Sequence, residues 1–247
     1  MRAILTYHSI DDSGSPVSLS AAAFEGHVRW LASGTVRVLS LDALLEQPAG
    51  ADAVALTFDD GFANFAALAW PLLQPHQLPV TVFVVSDHVG GTNAWGGRDA
   101  AGIPTLPLMT WEALGRLAEQ GVTLGAHTRR HPDLRRLDDA ALADELDGSA
   151  GDIARHTGRR PDRFAYPFGQ VDARVARAAA DRFRLSCTTE LRELAADDRP
   201  ERLPRLDAWY LRKPGALERW GTPAFRRSIR LRAFARRAKA VFTGHAA

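Results

Sequence analysis

Short apolar runs alternate with segments of helical apolar spacing along most of the chain, and this alternation sets the expected architecture. Residues 2–7 read as a first strand ending at His8. Ser20 can cap a helix over 21–31, and Ser40 a shorter one over 41–47 behind a strand at 36–39. The apolar run 53–56 belongs to a strand through Phe58 that delivers Asp59 and Asp60. Residues 62–74 repeat apolar positions at helical spacing, with Pro71 inside as a kink or a stop. Residues 79–85 are apolar or β-branched throughout, as in a strand covered on both faces. Further strands are expected at 122–126, 163–166 and 184–187, and further helices at 110–119, 138–156 and 171–180. Such alternation predicts an α/β fold with a largely parallel sheet. Seven strands suit an imperfect barrel better than a short open sheet.

Composition narrows the class. With 247 residues, 46% of them apolar, the chain can bury a full core. It has no apolar run long enough to span a bilayer, about 18 residues or more. The N-terminus lacks the pattern of a secretory signal, so a cytoplasmic location is expected, with peripheral contact at the inner face of a membrane. Cys187 is the only cysteine, which excludes an intrachain disulfide and a cysteine-built zinc site. The net charge of +2 hides an asymmetry. Residues 206–247 hold ten Lys and Arg against two acids, a local +8, which leaves −6 on residues 1–205.

The tail supplies much of that charge. Leu231, Phe234, Ala235, Ala238, Val241 and Phe242 share one helical face, and arginines fill most of the other. The expected division is therefore a domain over 1–222 and a basic amphipathic helix over 223–247. Such a helix suits an anionic membrane surface, although a last barrel helix with a solvated face has the same pattern. A nucleic-acid role is not expected, because no nucleic-acid-binding motif stands beside the basic run.

Candidate chemistry collects just past predicted strand ends, the edge where parallel α/β folds build their sites. Asp59-Asp60-Gly61 alone reads as a turn, but two adjacent carboxylates need a cation, a shared proton or solvation to offset their repulsion. His127-Thr128-Arg129-Arg130-His131 places two imidazoles four residues apart, a spacing that can serve one divalent ion. With two Asp and two His on one edge, a metal site becomes the favoured reading. A set of two His and one Asp leaves positions open for water and substrate, as a catalytic site requires.

Together with Phe164-Ala165-Tyr166-Pro167-Phe168-Gly169, the Asp and His motifs resemble those of the polysaccharide deacetylase family of carbohydrate esterases, in the family's order. The resemblance covers residues 57–169. It implies a distorted, incomplete (β/α) barrel and metal-dependent removal of an N-acyl group from an amino sugar. Asp60, His127 and His131 would bind a divalent metal, with zinc expected. Asp59 would be the general base, and the backbone N–H of Phe168 would hold the oxyanion.

Two departures follow. At the position of the motif arginine that orients the catalytic Asp in many family members stands Ala165, with Arg163 displaced by two positions and Arg205 a candidate to supply the guanidinium instead. The late histidine that protonates the leaving amine is missing, because His245 alone follows residue 156 and it lies in the tail. Thr6-Tyr7-His8-Ser9-Ile10 instead resembles the N-terminal motif of circularly permuted members and makes His8 the expected general acid. Asn93, Trp95, Tyr166, Pro167 and Asp207 are the candidate substrate contacts; for Trp95 the competing reading is a hydrophobic pin for its loop. His27, His76, His88 and His156 are expected at the surface. The expected partner is an N-acetylated glycan or lipid-linked amino sugar. The rivals are N-deformylation or another amide hydrolysis on the same scaffold, and a non-catalytic glycan-binding protein.

Overall fold

The computed structural model describes residues 1–95 and 102–242. Its strands are β1 Arg2–Tyr7, β2 Ser9–Ile10, β3 Ser18–Leu19, β4 Arg37–Val38, β5 Ala53–Phe58, β6 Val80–Val84, β7 Thr123–Ala126, β8 Arg163–Ala165, β9 Leu185–Cys187 and β10 Leu206–Asp207. Its α-helices are α1 Ala21–Ala32, α2 Leu41–Leu45, α3 Trp70–Leu73, α4 Trp111–Glu119, α5 Asp139–Ala143, α6 Ser149–Thr157, α7 Ala173–Ala180 and α8 Pro223–Phe242. Ser20 and Ser40 cap their helices as expected, and Thr110 caps α4, each accepting from the N–H three residues on.

Eight strands form one parallel sheet, along the path β10-β1-β5-β6-β7-β8-β9 with β4 on the start of β5. The expected incomplete (β/α) barrel is the fold observed. The sequence reading missed β10 and the small β2–β3 ladder, because runs of two residues carry no periodicity. The short segment 203–207 draws the two sheet edges together. Leu203 bridges β9 at Cys187, and three residues later β10 pairs with β1. That curl is what brings the first strand and the last into one site.

Strand alternation divides the side chains between two cores. Val54, Leu56 and Phe58 of β5 join Leu5 and Tyr7 in the cluster under the helices. Ala53 and Ala55 face inward with Ile4, Phe83, Ala165, Cys187 and Leu203. Small residues are needed here, since a Cβ on Gly125 would lie 2.5 Å from the Phe83 ring. The inward row of β5 continues through Thr57 to Asp59, so strand parity alone aims Asp59 at the barrel mouth.

Pro71 shapes the helix after the Asp motif without ending it. It has no N–H to donate, and the turn before it widens over Phe65–Ala69, where Trp70 N–H reaches back five residues to Phe65 O. α8 docks on the barrel through Phe225 and Ile229, both buried, while Leu231 and Phe234 stay 60% and 73% exposed. Several of its arginines turn to the barrel: Arg226 pairs with Glu193, Arg236 bonds to Thr189, and Arg237 pairs with Glu190. The side chains of Val241 and Phe242, and His245, lie outside the described residues.

Candidate active site

Four of the five non-glycine residues with left-handed φ among those described lie at one edge of the sheet. They are Asp60 (71°), Thr128 (68°), His131 (60°) and Phe168 (59°). Such backbone is uncommon for residues with a Cβ and gathers where a fold over-determines a site. Asp60 turns directly after β5, Thr128 and His131 just past β7, and Phe168 just past β8.

The bend 127–131 is held from behind. Thr128 Oγ1 accepts the His131 N–H at 2.9 Å. Glu145, almost fully buried, accepts the N–H groups of Arg129 and Arg130 at 2.8 and 3.0 Å. The sequence reading missed Glu145; its one signal is an acid on the buried face of the 138–156 helix.

Asp60, His127 and His131 converge. His127 Nε2 is 3.4 Å and His131 Nε2 3.5 Å from Asp60 Oδ1, and the two Nε2 atoms are 3.2 Å apart. Three ligands of one tetrahedral zinc at about 2.0–2.1 Å would be about 3.3 Å apart. His127 Nδ1 lies 2.7 Å from the Ala165 carbonyl, which accepts its proton and leaves the Nε2 lone pair facing the trio. Burial, with the neighbouring His127, lowers the His131 pKa to about 3 and keeps that imidazole neutral. Burial opposes ionisation of Asp60, but the three surrounding imidazoles hold its pKa well below the usual carboxylate range. The group thus fits a divalent metal ion in spacing and in donor type.

Asp59 has the other environment. Arg205 forks onto it, Nη1 to Oδ1 and Nη2 to Oδ2, both at 2.7 Å. Nη1 also donates to Thr57 Oγ1, and Nε to the Thr188 carbonyl at 2.8 Å. Both side chains are almost wholly buried, at 0% and 3% exposure. Burial alone would raise the Asp59 pKa; the guanidinium reverses this and keeps the carboxylate ionised. The opposite end of β8 takes Arg163, which pairs with Asp42 and Asp162. Of the two arginines the sequence offered, Arg205 is the one beside Asp59.

His8 Nε2 approaches Asp59 Oδ2 to 3.7 Å from the end of β1, with its ring half-buried. Asn64 fixes this segment: its Oδ1 accepts the Ile10 N–H and its Nδ2 donates to Ser9 Oγ. Asp207, half-buried on β10, accepts the Trp209 N–H at 2.9 Å. Its carboxyl is raised by burial despite the nearby His8, Arg236 and Arg205. Phe168, 53% exposed, sets its ring 4.6 Å from that of His131. Trp95 stacks on His131 from another side at 4.6 Å and 28°. It therefore touches the site itself and is not merely a pin for its own loop.

Three expected substrate contacts do not reach this face. Tyr166 is fully buried against Phe164, and its hydroxyl donates to the Glu201 carbonyl. Pro167 is buried as the first residue of the turn that presents Phe168. Asn93, 5% exposed, uses its amide to hold Pro104 O and Leu106 N–H, so it is the loop's pin. Tyr166 and Asn93 spend their polar groups on their own surroundings, and Pro167 is packed inside its turn. His27 is also corrected: it is buried, with Tyr7 Oη on one nitrogen and Leu211 O on the other.

A fold of this kind, with an Asp/His/His trio at its mouth, matches known proteins. The profile of the family described as polysaccharide deacetylase covers residues 46–183, more than half of the chain, and the chain belongs to that family. YxkH of Bacillus subtilis (strain 168) is 24% identical over 193 residues, which make up 76% of this chain and 64% of YxkH. The poly-beta-1,6-N-acetyl-D-glucosamine N-deacetylase of Staphylococcus aureus (strain MSSA476) is 22% identical over 168 residues, 63% of this chain and 55% of that one. The chain thus spans less than two thirds of the length of these curated relatives. Two solved structures share the fold. Streptococcus pyogenes deacetylase PplD in complex with acetate has a TM-score of 0.69 at 21% identity, covering 83% of this chain and 91% of PplD. IcaB from Ammonifex degensii has a TM-score of 0.66 at 23% identity, covering 84% and 93%.

Proposed function

We propose that the chain is a metal-dependent N-deacetylase that removes acetyl from an N-acetylated amino sugar. The observation that carries this reading is one buried acid forked by Arg205 beside a second acid grouped with two histidines, in a member of the polysaccharide deacetylase family. The name of the Staphylococcus aureus relative supports a glycan as the substrate class.

On this reading Asp60, His127 and His131 hold a divalent cation, zinc by its fit to the donor set. Such a cation supplies Lewis acidity to an acyl oxygen and lowers the pKa of a water towards neutrality. Asp59 takes the proton of the attacking water. Arg205 fixes both its oxygens and keeps it ionised until then. The Phe168 N–H donates to the acyl oxygen as negative charge develops there. His8 gives a proton to the nitrogen as the C–N bond breaks, so the sugar leaves as the amine and the acyl group as acetate. A first-strand histidine in this role supports the circularly permuted arrangement.

Acetate release from a panel of N-acetylated glycans and lipid-linked amino sugars tests the reading. Zinc-loaded protein is expected to release acetate from at least one of them, to stop on chelation and to recover when zinc is returned. A protein that binds stoichiometric zinc yet keeps full activity as Asp59→Asn or His131→Ala would overturn it.

A further inference from the structure

Two cavities lie against α8 and share Leu191, Ala233 and Arg237 in their walls. The first, of about 350 Å³, adjoins the Pro-Phe-Gly turn at Gly169 and continues along Gln170 and Val171. Arg135, Arg202 and Arg236 reach it from three separate elements. Asp133 holds Arg135. Arg202 donates to the Val171 carbonyl and Arg236 to Thr189, and among the described residues neither has a carboxylate within ion-pair distance. Glu190, the one acid in this wall, is already engaged by Arg192 and Arg237. The cavity therefore holds two guanidiniums with no carboxylate at ion-pair distance among the described residues; the acid nearest in effect to Arg236 is Asp207.

The second cavity, of about 620 Å³, combines an apolar strip of Leu194, Leu206, Phe225, Ile229 and the exposed Phe234 with the charged side chains of Arg192, Glu193, Arg226 and Arg230. From Arg236 back to Phe225 the helix runs eleven residues, or about 16 Å at about 1.5 Å per residue. Phe168 stands against His131, its neighbour Gly169 lines the cationic cavity, and that cavity shares Leu191, Ala233 and Arg237 with the second one.

A neutral sugar polymer has no group for either cavity. A sugar joined through phosphate to a hydrocarbon chain has both: guanidinium forks suit phosphate oxygens, and the apolar strip gains by covering hydrocarbon, at roughly 25 cal/mol per Å². We propose that the groove under α8 takes the phosphate and the hydrocarbon of a lipid-phosphate-linked N-acyl amino sugar, with the sugar at the Phe168 end. For the sugar this rests on the deacetylase reading; for the groove it does not.

Calorimetric titration of the full chain with geranylgeranyl phosphate below its micelle concentration tests the groove without any turnover. The ester is expected to bind at least tenfold more tightly than either geranylgeraniol or inorganic phosphate. Arg202→Glu, and Ala233→Trp in the wall the cavities share, are each expected to weaken it at least tenfold. If Ala233→Trp loses its native circular dichroism, the exposed Arg202 alone decides. The proposal is overturned if either half of the ester binds as tightly as the whole, or if Arg202→Glu binds it like the wild type. It is overturned too if the chain binds phosphatidylglycerol vesicles but not the soluble ester, which would make α8 a membrane-surface helix. Acetate release with no binding of the ester would leave the deacetylase standing and remove the groove.

Discussion

The two ends of the sheet are both rich in charge but use it differently. At the N-terminal ends of the strands, Arg163 and Arg184 share Asp42, with side chains 15%, 54% and 25% exposed. At the C-terminal ends, Arg205 and Asp59 are sealed from water, and the neighbouring backbone is left-handed at four residues with side chains. Partly solvated pairs can lose a partner to water with little effect. A buried pair that loses one partner leaves an uncompensated charge. The first end is arranged for solubility and local order, the second for holding charge where water is scarce.

Arg205→Ala should produce the largest change. It strands Asp59 and is expected to lower stability by about 3–5 kcal/mol, read by urea denaturation; a loss under 1 kcal/mol would erase the contrast. The sign with pH follows from the lowered Asp59 pKa. In the wild type this contribution is complete above the ordinary carboxylate value near about pH 4 and is lost as pH falls through the lowered one.

Asp59→Asn keeps the shape of the site and removes the proposed base, so kcat should fall at least about 100-fold, equivalent to about 2.7 kcal/mol. Steady-state kinetics with zinc content held equal would detect it, and an unchanged kcat would place the base elsewhere. Gly169→Ala is next. Its φ is +70°, and a Cβ there would meet the Thr189 backbone nitrogen at 2.6 Å. A loss of about 1–3 kcal/mol is expected, together with a lower kcat because Phe168 moves. Native stability and kcat in this variant would show that the turn is slack.

Arg163→Ala should have the smallest effect on stability, up to about 1 kcal/mol, and should leave kcat alone. A drop in kcat here would mean that the far end of the sheet couples to the site. Cys187 samples the region between the two ends. Buried, with its thiol pushed up to about 12, it should resist iodoacetamide at pH 8 in the folded protein and react once unfolded. Rapid labelling in the folded state would mean that the inner core opens.

Much of this contrast was legible in the chain. The alternation of apolar runs and helical spacing marked every strand longer than two residues. The Asp, His and Pro-Phe-Gly motifs marked the edge, because each is contiguous and follows its own strand directly. Side-chain direction was less legible. Tyr166, Pro167 and Asn93 sit next to the motifs, yet each is turned inward by a packing or hydrogen-bonding need of its own.

The sequence by itself determined the architecture, the order of the motifs and the residue types available for chemistry, since all of these are written over a few neighbouring positions. Only the tertiary structure decided which arginine meets Asp59, 146 residues away in the chain, and that His8 from the first strand stands at the same mouth. Those contacts depend on the curl that brings β10 beside β1 and Leu203 beside β9. Closing a sheet on itself is a property of all its strands together, and no local stretch of residues encodes it.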